Sequence, residues 1–213
     1  MSKVLFIKGH PATAATSVSL QLADHFLGAY KASHPSDLVS TVDLYHDEIP
    51  LIDADVLDAW NKFRSGQPNE LTPAESTKLQ RLNEISDQFV NSDKYIFAAP
   101  MWNLGYPPMV KAYVDCAVVV QGKTFAYTEK GPVALLRGKG KKAVILEASG
   151  GQYEGTPMEE HTSASNYLKG MLNYVGIDDV EVITAEGMAQ TPEKREEIIS
   201  AANTKAVEFA AGF

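Results

Sequence analysis

Short β-branched or apolar runs alternate with longer amphipathic stretches along almost the whole chain. Five such runs lie at 4–7, 39–44, 95–99, 143–146 and 180–184. Strands that alternate with helices are typical of βαβ units. The run at 95–99 is apolar on both faces, which indicates a central strand covered by helices on each side. The pattern therefore predicts an α/β fold with a doubly wound, five-stranded parallel sheet and helices on both faces.

Composition and charge limit what such a chain can do. The 213 residues contain no repeat and no Gly/Ser-rich linker, so we expect one domain over 1–213. The net charge of -8 opposes binding to nucleic acid and to anionic membranes. The apolar run at the N-terminus is too short for a signal peptide and no later run approaches a membrane span, so we expect a cytoplasmic protein. Cys116 is the only cysteine, which excludes an intrachain disulfide and favours a small buried residue.

Thr-Pro pairs mark three expected helix starts, at Thr72, Thr156 and Thr191. Thr caps helices well, and Pro suits the first helical position. Glu75 and Glu159 stand three residues after the first two threonines, which is the spacing of a capping box. We therefore expect these two glutamates to have structural roles.

An additional amphipathic segment lies at 53–66, between the second expected strand and Thr72. Its apolar residues Val56, Trp60 and Phe63 share one helical face. A minimal five-stranded unit does not need this segment. It either covers the core or serves as a lid or subunit interface, and amphipathicity alone does not separate these interpretations.

Three loops should meet at the carboxyl edge of the sheet, where doubly wound folds bind ligands. The first, at 9–19, offers hydroxyls and a helix N-terminus to a phosphate, although its Ser and Thr residues could also be simple caps. The second, at 100–108, combines aromatic bulk with an amide and suits a flat ring. The third, at 147–153, carries two glycines that let a ligand approach the backbone. Either of the last two could be an ordinary turn, but together the three predict a crevice for a phosphate and a ring system.

Other nucleotide and metal motifs are missing. The sequence has no Gly-x-Gly-x-x-Gly after the first expected strand and no phosphate-binding loop of the Gly-x-x-x-x-Gly-Lys-Ser/Thr type. Its five histidines lack paired spacing, so we expect no metal site.

Several blocks resemble one known family, the FMN-dependent NADH azoreductases, also described as FMN-dependent NADH:quinone oxidoreductases. These blocks are Ser17-Val18-Ser19, Ala99-Pro100-Met101-Trp102-Asn103, Gly122 to Pro132 with Thr-Phe-Ala-Tyr-Thr-Glu-x-Gly-Pro, Gly150-Gly151 and Ala185-Glu186-Gly187. The resemblance covers nearly the whole chain. It implies a flavodoxin-like fold and a homodimer that binds FMN, with NADH or NADPH as the electron donor and quinones or aromatic azo compounds as acceptors.

The resemblance also implies which residues bind FMN. The phosphate would be held by His10, Ser17, Val18 and Ser19. The isoalloxazine ring would be lined by Met101, Trp102, Asn103, Leu104, Ala148, Ser149, Gly150 and Gly151. Tyr127 is either a substrate-pocket residue or a packing residue. No catalytic side chain is implied, because the flavin carries the chemistry.

Three residues depart from the family pattern. Family members often have Ser at position 10, an aromatic residue at position 104 and Arg at position 149, where this chain has His10, Leu104 and Ser149. A single ring-binding crevice would make the donor and the acceptor bind in turn, in a ping-pong sequence. Two alternatives remain at this point: a flavodoxin-type one-electron carrier, and a cofactor-free hydrolase or interaction module on the same fold.

Overall fold

A computed structural model describes residues 1–161 and 164–213. The strands of the main sheet are β1 (Lys3–Lys8), β2 (Leu38–Asp43), β3 (Lys94–Pro100), β6 (Lys142–Ala148) and β7 (Asp179–Ala185). Between β3 and β6, a separate antiparallel hairpin that the sequence pattern did not predict is formed by β4 (Phe125–Thr128) and β5 (Gly131–Ala134). The main sheet is parallel and has the order β2-β1-β3-β6-β7, which confirms the predicted fold class.

Helices cover both faces of this sheet. They are α1 (Val18–Ser33), α2 (Ala54–Arg64), α3 (Pro73–Val90), α4 (Pro108–Tyr113), α5 (Ala164–Val175) and α6 (Arg195–Gly212). A π-helical turn at Val114–Val118 continues α4. Among the described residues, no helix is both long and apolar enough to cross a membrane.

Alternation along the strands divides the core into two layers. On β6, Ala143 and Ile145 face the cluster that contains residues of α4 and α5, whereas Val144 and Leu146 face the cluster that contains residues of α1 and α6. Both layers are closed to water, so the sheet is a fixed platform for the loops at its carboxyl edge.

The three Thr-Pro pairs have different structures. Thr72 and Glu75 form the expected capping box at the start of α3. The box predicted at Thr156 is wrong: the Thr156 hydroxyl donates to the Tyr153 carbonyl at 2.7 Å, and Glu159 accepts from the Gly155 N–H at 2.9 Å. These two bonds close a turn, and α5 is described over Ala164–Val175. At the third pair a 3-10 turn precedes α6.

The segment at 53–66 contains α2, and only part of its apolar face is covered. Val56 and Ala59 are buried, whereas Trp60 is 38% exposed and Phe63 is 53% exposed. A cavity of about 640 Å³ opens beside these aromatic rings and is also lined by Leu82, Cys116, Val119 and Phe125. The helix therefore covers core and also presents apolar surface. Cys116 is itself buried, as expected.

Candidate functional site

The β1–α1 loop begins at a glycine that has no room for a side chain. A Cβ at Gly9 would lie 2.8 Å from Cγ2 of Val110 and 2.9 Å from Cβ of Ala99. The Gly9 N–H donates to the Ala98 carbonyl at 2.8 Å. Because the loop leaves β1 against β3 and α4, its path into α1 is fixed at the sheet edge.

The serines at the start of α1 do not act as caps. Ser17 is the N-cap residue but makes no side-chain capping hydrogen bond. Its hydroxyl shares a hydrogen bond of 3.1 Å with the Ser19 hydroxyl, and both side chains are buried, at 6% and 0% exposure. The simple-cap interpretation of Ser17 is therefore wrong. Among the described residues, nothing accepts from the first N–H groups of α1, which remain available to an external acceptor.

The electrostatics of this helix start favour an anion. The first turn of α1 contains no acidic residue, so no side chain of that turn offsets the positive end of the helix dipole. His10 Nδ1 accepts a hydrogen bond from the Ala12 N–H at 2.9 Å. Burial, with Lys8 as a smaller cause, lowers the pKa of His10. A neutral imidazole that accepts at Nδ1 carries its proton on Nε2, so His10 is a donor on its other side.

The loop after β3 forms a tight turn. Trp102 and Gly105 exchange backbone hydrogen bonds of 2.8 and 3.1 Å. Between them, Asn103 (φ 50°) and Leu104 (φ 65°) both lie in the left-handed region. Asn adopts this conformation readily, whereas for Leu it costs about 1–3 kcal/mol, and such strain clusters at functional sites. The turn leaves Trp102 41% exposed, as a ring-binding surface requires.

The loop after β6 is held by its carbonyl groups. The Gly150 carbonyl accepts from the Ala189 N–H at 2.8 Å, and the Gly151 carbonyl accepts from the Gly187 N–H at 3.0 Å. Ser149 is 4% exposed, and its hydroxyl donates to the Gly151 carbonyl at 2.9 Å. Within the described part of the chain, the N–H groups of Gly150 and Gly151 have no hydrogen-bond acceptor. These N–H groups can therefore serve a bound ligand.

Contacts between the loops bring the predicted residues together. His10 packs edge-on against Trp102, with ring centroids 5.7 Å apart. The Met101 N–H donates to the Ala148 carbonyl at 2.9 Å. The first loop thus touches the second, and the second is bonded to the third. Tyr127 does not lie on these loops: it is on β4, 65% exposed, and its ring packs against Phe125.

Sequence reasoning gave no role to three residues at this edge, although Glu186 lies in one of the family-like blocks. Tyr106 donates from its hydroxyl to Oε2 of Glu147 at 2.7 Å, and Glu147 is 1% exposed. Oε2 of Glu186 accepts from the N–H groups of Tyr153 and Glu154, both at 3.0 Å, and from the Gln152 side-chain amide. The available signal was a Glu inside an otherwise apolar strand, at the next-to-last position of β6.

Comparisons with known proteins agree with this geometry. A family model described as flavodoxin-like fold matches residues 2–210. An FMN-dependent NADH:quinone oxidoreductase 3 of Bacillus cereus is 46% identical over 214 residues, which is 100% of both chains. The chain belongs to this family of flavodoxin-like proteins.

Solved structures of the family have the same fold. The crystal structure of an azoreductase from Bacillus anthracis str. Sterne superposes with a TM-score of 0.91, at 37% identity over 100% of both chains. An FMN-dependent NADH-azoreductase from Bacillus anthracis str. Ames Ancestor, solved in complex with FMN, superposes with a TM-score of 0.92, at 34% identity over 99% of this chain and 98% of that one. The predicted family is confirmed. The assignment of individual residues to FMN stays a prediction.

Proposed function

We propose that this chain binds FMN and transfers two electrons from NADH or NADPH to quinones and aromatic azo compounds. The observation that carries the proposal is the buried Ser17–Ser19 hydroxyl pair. Ser17 makes no capping hydrogen bond, and the pair lies at the start of α1, whose first turn has no acidic residue. A phosphate monoester matches this donor set. The names of the family members support the same cofactor and the same classes of donor and acceptor.

The phosphate would be held by the Ser17 and Ser19 hydroxyls, by the N–H groups at the start of α1 and by His10. Each of these groups can donate a hydrogen bond to a phosphate oxygen, and none carries a negative charge. The departure at His10 therefore keeps a donor at the position where family members often have Ser. No arginine is needed to bind the anion.

The ring would lie between Met101–Leu104 and Ala148–Gly151. FMN, when bound, supplies the hydride and electron chemistry. Trp102 offers an exposed ring for packing, and the N–H groups of Gly150 and Gly151 belong to a loop whose carbonyls are already bonded. Such N–H groups stabilise negative charge at a polar ring edge. Ser149 donates within its own loop, so the family's Arg is replaced here by a residue that stiffens the backbone.

One crevice serves both substrates in this proposal. The nicotinamide donor and the quinone or azo acceptor would stack on the same exposed surface in turn, which gives a ping-pong sequence. Such a reaction needs little acid–base catalysis from protein side chains. The site mainly places the reactants and excludes water.

We also propose that the active form is a homodimer. The exposed rings of Trp60 and Phe63 lie beside the cavity of about 640 Å³, and Tyr127 and Val133 are exposed on the β4–β5 hairpin. Apolar surface of this kind is typical of an interface. A homodimer is also what the resemblance to the azoreductase family implies.

Turnover and cofactor binding together test the proposed function. The FMN-loaded protein should oxidise NADH when a quinone or an azo dye is present, whereas a one-electron carrier or a cofactor-free protein should not. Ser17→Ala should weaken FMN binding by about 1–3 kcal/mol, the loss expected for a charge-assisted hydrogen bond. Ser33→Ala, an exposed serine at the other end of α1, is the matched control and should bind FMN normally. Unchanged FMN affinity in Ser17→Ala would place the phosphate elsewhere.

A further inference from the structure

A side-chain hydrogen bond joins the two loops that would line the ring. Tyr106 directly follows the Trp102–Gly105 turn, and Glu147 directly precedes Ala148. The Tyr106 hydroxyl donates to Oε2 of Glu147 at 2.7 Å. The Met101 N–H also donates to the Ala148 carbonyl, so the walls of the proposed site are joined by a backbone and by a side-chain hydrogen bond.

The surroundings of Glu147 supply hydrogen bonds but no positive charge. Its neighbours are the Tyr106 hydroxyl from the β3 loop, the Ser165 N–H from α5 and the Glu186 carboxylate beyond β7. No lysine, arginine or histidine of the described residues lies within ion-pair distance of it. A buried carboxylate without a counter-charge is unfavourable.

Glu147 can therefore exist in either protonation state near neutral pH. Burial raises its pKa to about 7, and repulsion from Glu186 adds to the effect, while the Tyr106 hydrogen bond opposes it. Burial, with the Glu147 charge as a further cause, raises the pKa of Tyr106 well above its usual value, so Tyr106 remains a donor.

We propose that Glu147 and Tyr106 form a positioning pair that fastens the two ring-binding loops and takes up one proton when negative charge enters the site. The inference rests on the proposed function. A hydride carries one proton and two electrons, so its transfer from NADH into the site adds one negative charge. Glu147 then accepts one proton from water and becomes a neutral carboxylic acid. No electrons move to or from Glu147, and the site returns to its former net charge.

The pair acts through electrostatics and loop geometry. Negative charge near a buried carboxylate disfavours its ionised form, so proton uptake at Glu147 and electron uptake in the site favour each other. Tyr106 holds the carboxyl group in place in both states, because a carboxylic acid and a carboxylate can each accept its O–H.

Infrared difference spectra of the FMN-loaded protein, taken before and after reduction by NADH at pH 8, test the proton uptake directly. The wild-type protein should gain the C=O band of a protonated carboxylic acid on reduction, and Glu147→Gln should lack it. Glu208→Gln, at an exposed glutamate of α6, is the matched control and should keep the band. A reduced spectrum that is the same in wild type and Glu147→Gln would overturn the inference while leaving the proposed function intact.

Tyr106→Phe provides a second, independent test and covers the case in which Glu147→Gln does not fold. Loss of one hydrogen bond should weaken FMN binding about fivefold. The carboxyl band should persist at a shifted frequency, because its partner has gone while the carboxyl group remains. An unshifted band together with unchanged FMN affinity would refute the pairing. Failure of the wild-type protein to bind FMN at all would refute the proposed function, and the inference with it.

Discussion

The buried carboxyl group of Glu147 makes the stability of the protein depend on pH in a calculable way. In the unfolded chain its pKa is near the ordinary value of 4.5, and in the folded protein it is about 7. The folded state therefore binds more protons than the unfolded state between these two values. The contribution of Glu147 to the free energy of unfolding is therefore fully present below pH 4.5 and is lost as the pH rises toward 7 and beyond.

The size of this effect follows from the shift. Each pKa unit corresponds to about 1.4 kcal/mol, so the loss is about 3 kcal/mol in total, of which about 2.5 kcal/mol falls between pH 5 and pH 8. Glu147→Gln replaces the carboxyl group with a neutral group of the same shape. Relative to wild type, the Glu147→Gln variant should therefore gain about 2.5 kcal/mol in free energy of unfolding over this pH range.

Urea denaturation of the cofactor-free protein at pH 5, 6, 7 and 8, followed by circular dichroism, measures this difference. Glu208→Gln controls for the loss of one negative charge from the surface. A constant difference between Glu147→Gln and wild type across the four pH values would refute the reasoning, since it would mean that Glu147 does not change its protonation on unfolding in this range.

Three further predictions concern packing, kinetics and assembly. Gly9→Ala should lower the free energy of unfolding by about 1–3 kcal/mol, because its Cβ would overlap Val110, whereas Gly28→Ala, with open space at its Cβ, should be neutral or stabilising; urea denaturation measures both. Rates measured with varied NADH at several fixed quinone concentrations should give parallel double-reciprocal lines, and intersecting lines would mean that both substrates bind together. Light scattering at micromolar concentration should give a dimeric mass, which Trp60→Glu should lower; a monomeric wild-type protein would reject the proposed interface.

The fold was accessible from the sequence because local patterns agree with it. The apolar run at 95–99 became the central strand β3, and the amphipathic stretches became helices on both faces. The capping box at Thr72 also formed, since a Thr, a Pro and a Glu at the right spacing satisfy the helix start locally. The same spacing of Thr, Pro and Glu at Thr156 gives a turn instead, in which Glu159 accepts from the Gly155 N–H and the Thr156 hydroxyl donates to the Tyr153 carbonyl.

The candidate site was accessible in part. The loops could be found from glycines and hydroxyls that follow strands, because parallel strands bring their carboxyl ends to one edge. The hydrogen bond between Tyr106 and Glu147 could not be predicted from the sequence, because it joins residues 41 positions apart and depends on the conformation of two loops. The left-handed conformation of Leu104 could not be predicted either, because a leucine gives no local signal for positive φ.

The identity of the bound cofactor tests the central claim most directly. The hydroxyl-rich start of α1 offers one terminal-phosphate site. The sequence lacks the glycine fingerprint that binds the pyrophosphate of a dinucleotide such as FAD. Heat release of the cofactor from purified protein, followed by mass analysis, should therefore yield FMN, and cofactor-free protein should bind added FMN in preference to FAD. Predominant FAD, or a colourless protein that ignores added FMN, would contradict the account.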